Sequence, residues 1–377
     1  MNTRRHTLLH LLRGTAALAL ASRLPAARAM GAMGATRATA PQRVIFVING
    51  TLGDKSFFDM GAAGMQAIKA RYGAGVETKI LEMGTERSRW QATLDDVADR
   101  DWDLIVACTY EMAEMVSDVA DSHPDKNFVL FDGVVSYAKG ANRNINSIAY
   151  KQNEAAYLAG MLAAGLLRDG VLPASQGTQL GFLGGMDIPL INDFLVGYAA
   201  GARAVTPGIK IQVAYAGNFN DAAKGKELAL AQFRSGVGIG LQVAGQTGLG
   251  LLAAAKDTGK YAIGANSDQE SVFLASDPVL ASRIVTSVLK RVDTTLLRAY
   301  ALERAGQLPL GKLEALGLAE NAVGLAEQGN MARMCPPELK RQIEASKRAV
   351  ISGQLRVPTG FGMSTAALAQ LRASLRP

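Results

Sequence analysis

The residues of this 377-residue chain best suited to chemistry are aromatics and carboxylates set beside glycines. Phe57, Phe58, Tyr110, Phe194 and Phe219, with Asp54, Asp59, Asp132, Asp187 and Asp268, fall in or near the polar segments that follow short apolar runs, and Lys290 stands in VLKRVD further on. Those segments read GTLGDKSFF, TYEM, DGVV, GGMDIP, GNFND, GQTGLG and NSDQ. Two rings facing one another across a cleft would sandwich a flat heterocycle, each offset stack adding about 1 kcal/mol beyond the area it buries. Carboxylates would accept hydrogen bonds from ring N–H groups or sugar hydroxyls. Taken singly, each phenylalanine reads as core, so the pairing of Phe57 with Phe194 makes a ligand wall only if two halves of the chain face each other.

Other chemistries find less support. Past the first 29 residues the one histidine is His123 in SHPDK, and there is no G-x-S-x-G elbow to build a Ser-His-Asp set. One histidine and two distant cysteines do not supply the ligand set of a transition-metal cage, and no metal or cofactor is expected. Cys108 ends the run DLIVAC and is the one nucleophile candidate, but no base is identifiable beside it and it reads as a buried thiol. GQTGLG, residues 245–250, has glycines that could approach a phosphate, yet it lacks the G-x-G-x-x-G order, and no GxxxxGK[ST] occurs anywhere. It reads as a tight turn at which a neutral ligand touches the backbone near Gly245.

The elements that must position these residues follow a regular alternation. Runs rich in Val, Ile and Phe at 43–49, 76–82, 103–108, 127–132 and 145–150, then 179–185, 209–217, 238–244 and 260–265, are separated by stretches of helical spacing. Continuous apolar runs between helices predict parallel strands covered on both faces, hence an α/β, doubly wound architecture in two sets. In such sheets ligands sit beyond the carboxyl ends of the strands, where the polar segments stand. The two sets also resemble each other: laying FFDMGAAGMQAI over DFLVGYAAGARAV pairs Gly64 with Gly201 and Phe57 with Phe194. After Asp268, SRIVTSVLKRVDTTLLRAYALERAG at 282–306 reads as a strand-to-helix unit, and the tail beyond is expected to pack against both halves.

The first 29 residues differ in kind. Arg4 and Arg5 precede an apolar stretch from Leu8 to Ala21, and Ala27-Arg28-Ala29 offers a cleavage site, so this segment reads as a secretory signal of the twin-arginine type. It holds five arginines and no acid; without it the formal net charge of +7 falls to +2, which weakens any case for a nucleic-acid partner. Neither cysteine lies where a lipoprotein signal needs one, and Cys108 and Cys335 read as unpaired thiols. A periplasmic protein is the expectation.

Across VIFVINGTLGDKSFFD, SHPDKNFVLFDGVV, NEAAYLAGMLAA, LGFLGGMDIPLINDFLVGYAAGA, GNFNDAAKGKELALAQF, AGQTGLGLLAAAKDTGKYAIGANSDQ and ISGQLRVPTG, the chain resembles the basic membrane protein family of ABC-importer substrate-binding proteins, which includes purine-nucleoside receptors. The resemblance implies a type I periplasmic-binding-protein-like fold: two Rossmann-like lobes with parallel sheets joined by a multi-segment hinge. It implies an N-terminal lobe at 43–150, a crossing helix and connector at 151–178, a C-terminal lobe at 179–285, and elements at 286–377 that cross back onto both lobes. It implies a non-enzymatic receptor for a nucleoside, nucleobase or similar flat heterocycle, flavin included, handed to a permease and its ATPase. Phe57 and Phe194 would sandwich the base, Asp132 would bond it, Gly245 would touch the ligand and Lys290 would lie near the sugar. The sequence departs from the family where Phe58 replaces an asparagine and where Asn266 replaces a sugar-binding carboxylate. Tyr110 also stands where a phenylalanine is usual. The first two changes fall on the ribose half of the ligand. Two other readings are an exported nucleoside-processing enzyme using Asp54, Asp59 or Asp132, and a ligand-sensing partner of a membrane signalling protein.

Overall fold

The computed structural model describes residues 40–172 and 177–377; the secretory signal expected at 1–29 lies outside them. Strands β1 Gln42–Ile48, β2 Val76–Glu82, β3 Leu104–Cys108, β4 Asn127–Phe131 and β5 Ile145–Tyr150 follow the first set of apolar runs closely. Strands β6 Gln179–Gly184, β7 Ile211–Tyr215, β8 Val237–Val243 and β9 Tyr261–Asn266 follow the second, and β10 Ile284–Lys290 is the strand of the strand-to-helix unit. Two short strands escaped the sequence reading, β11 Lys312–Leu316 and β12 Val323–Leu325. The helices are α1 Phe57–Tyr72, α2 Trp90–Ala98, α3 Ala113–Ser122, α4 Gln152–Arg168, α5 Pro189–Val205, α6 Ala222–Arg234 and α7 Gly245–Thr258. They continue with α8 Gln269–Leu274, α9 Pro278–Ala281, α10 Val292–Arg304, α11 Gly329–Met334, α12 Pro337–Ile351 and α13 Thr365–Leu375.

One sheet runs β11-β5-β4-β3-β1-β2 and the other β12-β10-β9-β8-β6-β7, the same order position by position. All pairings are parallel except β12 with β10. The continuous apolar runs have the expected cause. Val44, Phe46 and Ile48 of β1 join the large core that passes through both halves, while Ile45 and Val47 join a second core with Trp90, Leu94 and Val116 of α2 and α3. A strand buried on both faces has no solvent side on which to alternate.

The likeness between the halves extends to how their first helices pack. A Cβ on Gly64 of α1 would lie 3.1 Å from the backbone of Asp293 in α10, and one on Gly201 of α5 would lie 1.8 Å from the carbonyl oxygen of Tyr157 in α4. Gly201 therefore permits a backbone-to-backbone approach that any side chain would block.

Among the described residues the chain crosses between the sheets three times: from β5 into α4, from β10 into α10, which packs on α1, and from β11 to β12. The crossings are lashed together, Lys151 N–H donating to Leu316 C=O at 2.8 Å and Arg291 N–H to Ala322 C=O at 2.9 Å. The result is the expected pair of α/β lobes on a multi-segment hinge, with the carboxyl ends of both sheets' strands turned toward one cleft.

Candidate functional site

Between the lobes lies a cavity of about 280 Å³, just below the range of about 300–1,000 Å³ usual for small-molecule sites. Ten of the residues singled out in the sequence line it: Asp54, Phe57, Phe58, Tyr110, Asp132, Phe194, Phe219, Gly245, Asn266 and Lys290. Asp59 and Asp268 are not among its lining and have local work instead. Asp59 accepts from the N–H groups of Gly53 (2.7 Å) and Lys55 (3.0 Å), closing the loop before α1. Asp268 caps α8, accepting from Ser271 N–H and, at 2.6 Å, from its hydroxyl.

The floor of the cleft is an ion pair between the lobes. Lys290, the last residue of β10, donates to both carboxylate oxygens of Asp132, which follows β4, at 2.7 and 2.8 Å. Their side chains are only 2% and 9% exposed. The same ammonium lies 5.4 Å from the ring centre of Phe57, 5.4 Å from that of Phe194 and 5.2 Å from that of Tyr150. Rings at this range attract a cation by roughly 0.5–2 kcal/mol each. Phe57 and Phe194, one from each lobe, thus flank a common point.

Each ring is braced. Phe57 is the first residue of α1 and leans on Phe131 (5.5 Å between centres) and Phe58 (5.6 Å). Its helix start is fixed by Asp54, whose carboxylate accepts from the N–H groups of Ser56, Phe58 and Asp59 at 3.0–3.2 Å. Burial pushes the Asp54 carboxyl above its ordinary range, and those three N–H bonds oppose the shift. Asp54 is therefore a helix-capping acceptor at the cavity's edge. Phe194 sits 1% exposed in α5, and Phe219 lies over Gly185, where a Cβ would come within 2.3 Å of the ring. Gly245 opens α7 at φ +54, a conformation that favours glycine.

Phe58 packs over Gly50, whose Cβ would come within 2.6 Å of the ring. The Asn266 amide donates to Ser56 Oγ at 2.8 Å, and that hydroxyl donates to Ala265 C=O at 3.0 Å. Ser267 Oγ and Gln269 Nε2 both donate to Lys55 C=O, at 2.7 and 3.2 Å, adding two more bonds between the lobes. At the mouth Tyr110 is 39% exposed, and its hydroxyl meets the Met186 sulfur of the opposite lobe at 3.9 Å.

The backbone is strained where strands empty into the cleft. Thr109, Asp132 and Asn266, which follow or end β3, β4 and β9, hold φ values of +75, +60 and +66. Such conformations cost on the order of 1–3 kcal/mol each and collect at functional sites. Cys108, fully buried with its thiol 3.7 Å from Asn49 Oδ1, is pushed well above its ordinary range by burial and by the Asp132 charge. Held as a thiol it is no nucleophile. Neither it nor Cys335 forms a disulfide, as the sequence led one to expect.

Sequence reasoning missed Asn49, Trp90, Tyr150 and Met186. Asn49 directly follows β1 and Met186 lies in GGMDIP, so the strand-end rule could have found both. Trp90 reaches the cavity from the start of α2, and Tyr150 meets Lys290 only through the tertiary fold. Asp187 lies at the rim, bound to Arg372 of α13.

A model of the PnrA-like ABC-transporter substrate-binding proteins matches residues 41–358. The chain is 29% identical over 328 residues to a CD4+ T-cell-stimulating antigen of Listeria monocytogenes, covering 82% of this chain and 85% of that protein. It is 29% identical over 282 residues to an ABC-transporter nucleoside-binding protein of Lactococcus lactis, covering 72% and 76%. A solved ABC-transporter solute-binding protein from Aeropyrum pernix superimposes with a TM-score of 0.76 at 25% identity, over 89% of this chain and 98% of that one. The chain belongs to the PnrA-like, or basic membrane protein, family of ABC-transporter substrate-binding proteins.

Proposed function

We propose that this protein is an exported receptor that binds a nucleoside, nucleobase or similar flat heterocycle between its lobes and delivers it to an ABC permease. The observation that carries this reading is the placement of Phe57 and Phe194, from separate lobes, at the same 5.4 Å from the Lys290 ammonium. A planar guest between them stacks on both faces, each stack contributing about 0.5–1.5 kcal/mol beyond area burial. Lys290 spends two hydrogen bonds on Asp132, and an ammonium has three to give, so one donor remains for an acceptor on the guest's edge. The name of the Lactococcus relative, a nucleoside-binding protein, agrees. Arg4 and Arg5 support export to the periplasm by the twin-arginine route.

The enzyme alternative is the weaker one. Asp54 and Asp59 are taken up by backbone N–H groups, and Asp132 by Lys290. None is left as a free general base in a hydrolysis. A thermal-shift screen over purine nucleosides, nucleobases and riboflavin tests the receptor reading, since a guest that binds only the folded state raises Tm. Phe57→Ala and Phe194→Ala should each abolish the shift while the protein stays folded. Binding that survives both substitutions refutes the sandwich, and release of free base from a nucleoside refutes the receptor.

A further inference from the structure

Helix α13 lies wholly beyond the residues that match the family, which end at 358. It is mostly exposed; only Leu375 is fully buried. Polar bonds staple it to the second lobe: Arg203 donates to the Ser374 hydroxyl at 2.8 Å and its carbonyl at 3.1 Å, and Lys210 Nζ to Arg376 C=O at 2.6 Å. Between these staples and the cleft sits Arg372. Its guanidinium grips the Asp187 carboxylate with both terminal nitrogens, Nη1 to Oδ2 at 2.7 Å, and Nη2 also donates to Asn192 Oδ1 at 2.9 Å. Asn192 Nδ2 donates to Asp187 Oδ1 at 2.9 Å, Tyr215 Oη donates to Asn192 Oδ1 at 2.6 Å, and the guanidinium lies 4.9 Å over the Tyr215 ring.

This closed network holds a segment that lines the site. Asp187 stands between Met186 and Ile188, both on the cavity wall, and Asn192 stands two residues before Phe194. Met186 is also the partner of Tyr110 across the mouth. A loop that must be ordered on binding costs affinity, and one already held does not. A bidentate arginine–carboxylate pair fixes position as well as charge.

We propose that α13 is a strap that holds the second jaw in its binding position, with Arg372 as the positioning residue; the effect on ligand affinity rests on the receptor reading above. The test compares full-length wild type, Arg372→Ala, Arg372→Lys and Asp187→Asn. Amide hydrogen exchange is followed over residues 186–194, and calorimetric titration uses inosine, adenine and riboflavin as probes. Arg372→Ala should speed exchange of that segment at least tenfold, leave β6 and β8 unchanged, and weaken the bound probe about tenfold. Asp187→Asn should behave like Arg372→Ala, and Arg372→Lys should recover part of both effects. Unchanged exchange at 186–194 overturns the strap. Faster exchange across the whole lobe with an unchanged Kd also overturns it, since that marks a merely stabilising helix. Where wild type binds none of the probes, the ligand reading fails for them, and exchange alone decides the strap.

Discussion

Lys290→Met isolates the ion pair beneath the cleft. The substitution keeps the length of the side chain and its place among Phe57, Tyr150 and Phe194, but leaves the Asp132 carboxylate without its counter-charge. Both groups are buried, so the pair belongs to the class in which loss of one partner costs about 3–5 kcal/mol. Asp132 also borders the cavity, where water can reach it, which puts the expected cost near the lower end, about 3 kcal/mol. Urea unfolding at neutral pH reads this directly as a lower midpoint at unchanged slope. The double variant Lys290→Met, Asp132→Leu should regain most of the loss, because a buried pair replaced by apolar groups is often neutral or better. It should also bind no heterocycle, having lost both the ammonium and the carboxylate at the guest's edge. A single variant that loses less than about 1 kcal/mol, as an exposed pair would, refutes the assignment of this pair as a buried lock between lobes. A double variant no more stable than the single refutes the uncompensated charge as the cause.

Two further outcomes follow from the packing and the rim. Gly201→Val should cost about 3 kcal/mol or more, read from the denaturation midpoint, because its Cβ would stand 1.8 Å from the Tyr157 carbonyl oxygen and force α4 and α5 apart. Arg372 holds the Asp187 carboxyl below its ordinary range, so the stability this pair contributes is fully present above about pH 3.8 and is lost as pH falls through the lower folded value. The Tm difference between wild type and Asp187→Asn should accordingly be constant from pH 7 to about 5 and shrink toward zero in stronger acid; a difference that grows on acidification contradicts the pairing.

How far the sequence revealed this protein depended on the range of the interaction concerned. Strands β1 to β9 were legible because each carries Val, Ile, Leu or Phe between helical stretches, in continuous runs in β1, β3 and β4 though broken by charges in the partly exposed β2, and their ends located most of the cavity through the geometry of parallel sheets. Strands β11 and β12 were not. Lys312, Leu313 and Ala315 of β11 are exposed, so its pattern carries no sheet signal, and its pairing with β5 is made by the fold. β12 has three residues and is too short to show a period.

The carboxylates show the same division within the site. Asp59 and Asp268 were grouped with Asp54 and Asp132 because all four stand near strand ends, yet Asp268 caps its own helix three residues on, a spacing visible in DQES. Asp59 instead reaches back to Gly53 and Lys55, within its own loop. Asp132 differs because, among the described residues, no nearby backbone donor claims its oxygens in this way; its partner is 158 residues away on the other lobe. A buried carboxylate whose strong partner among the described residues lies across a hinge links the charge of the cleft floor to the approach of the two lobes. In its place a local cap, however well made, would steady one lobe and leave the other free to swing.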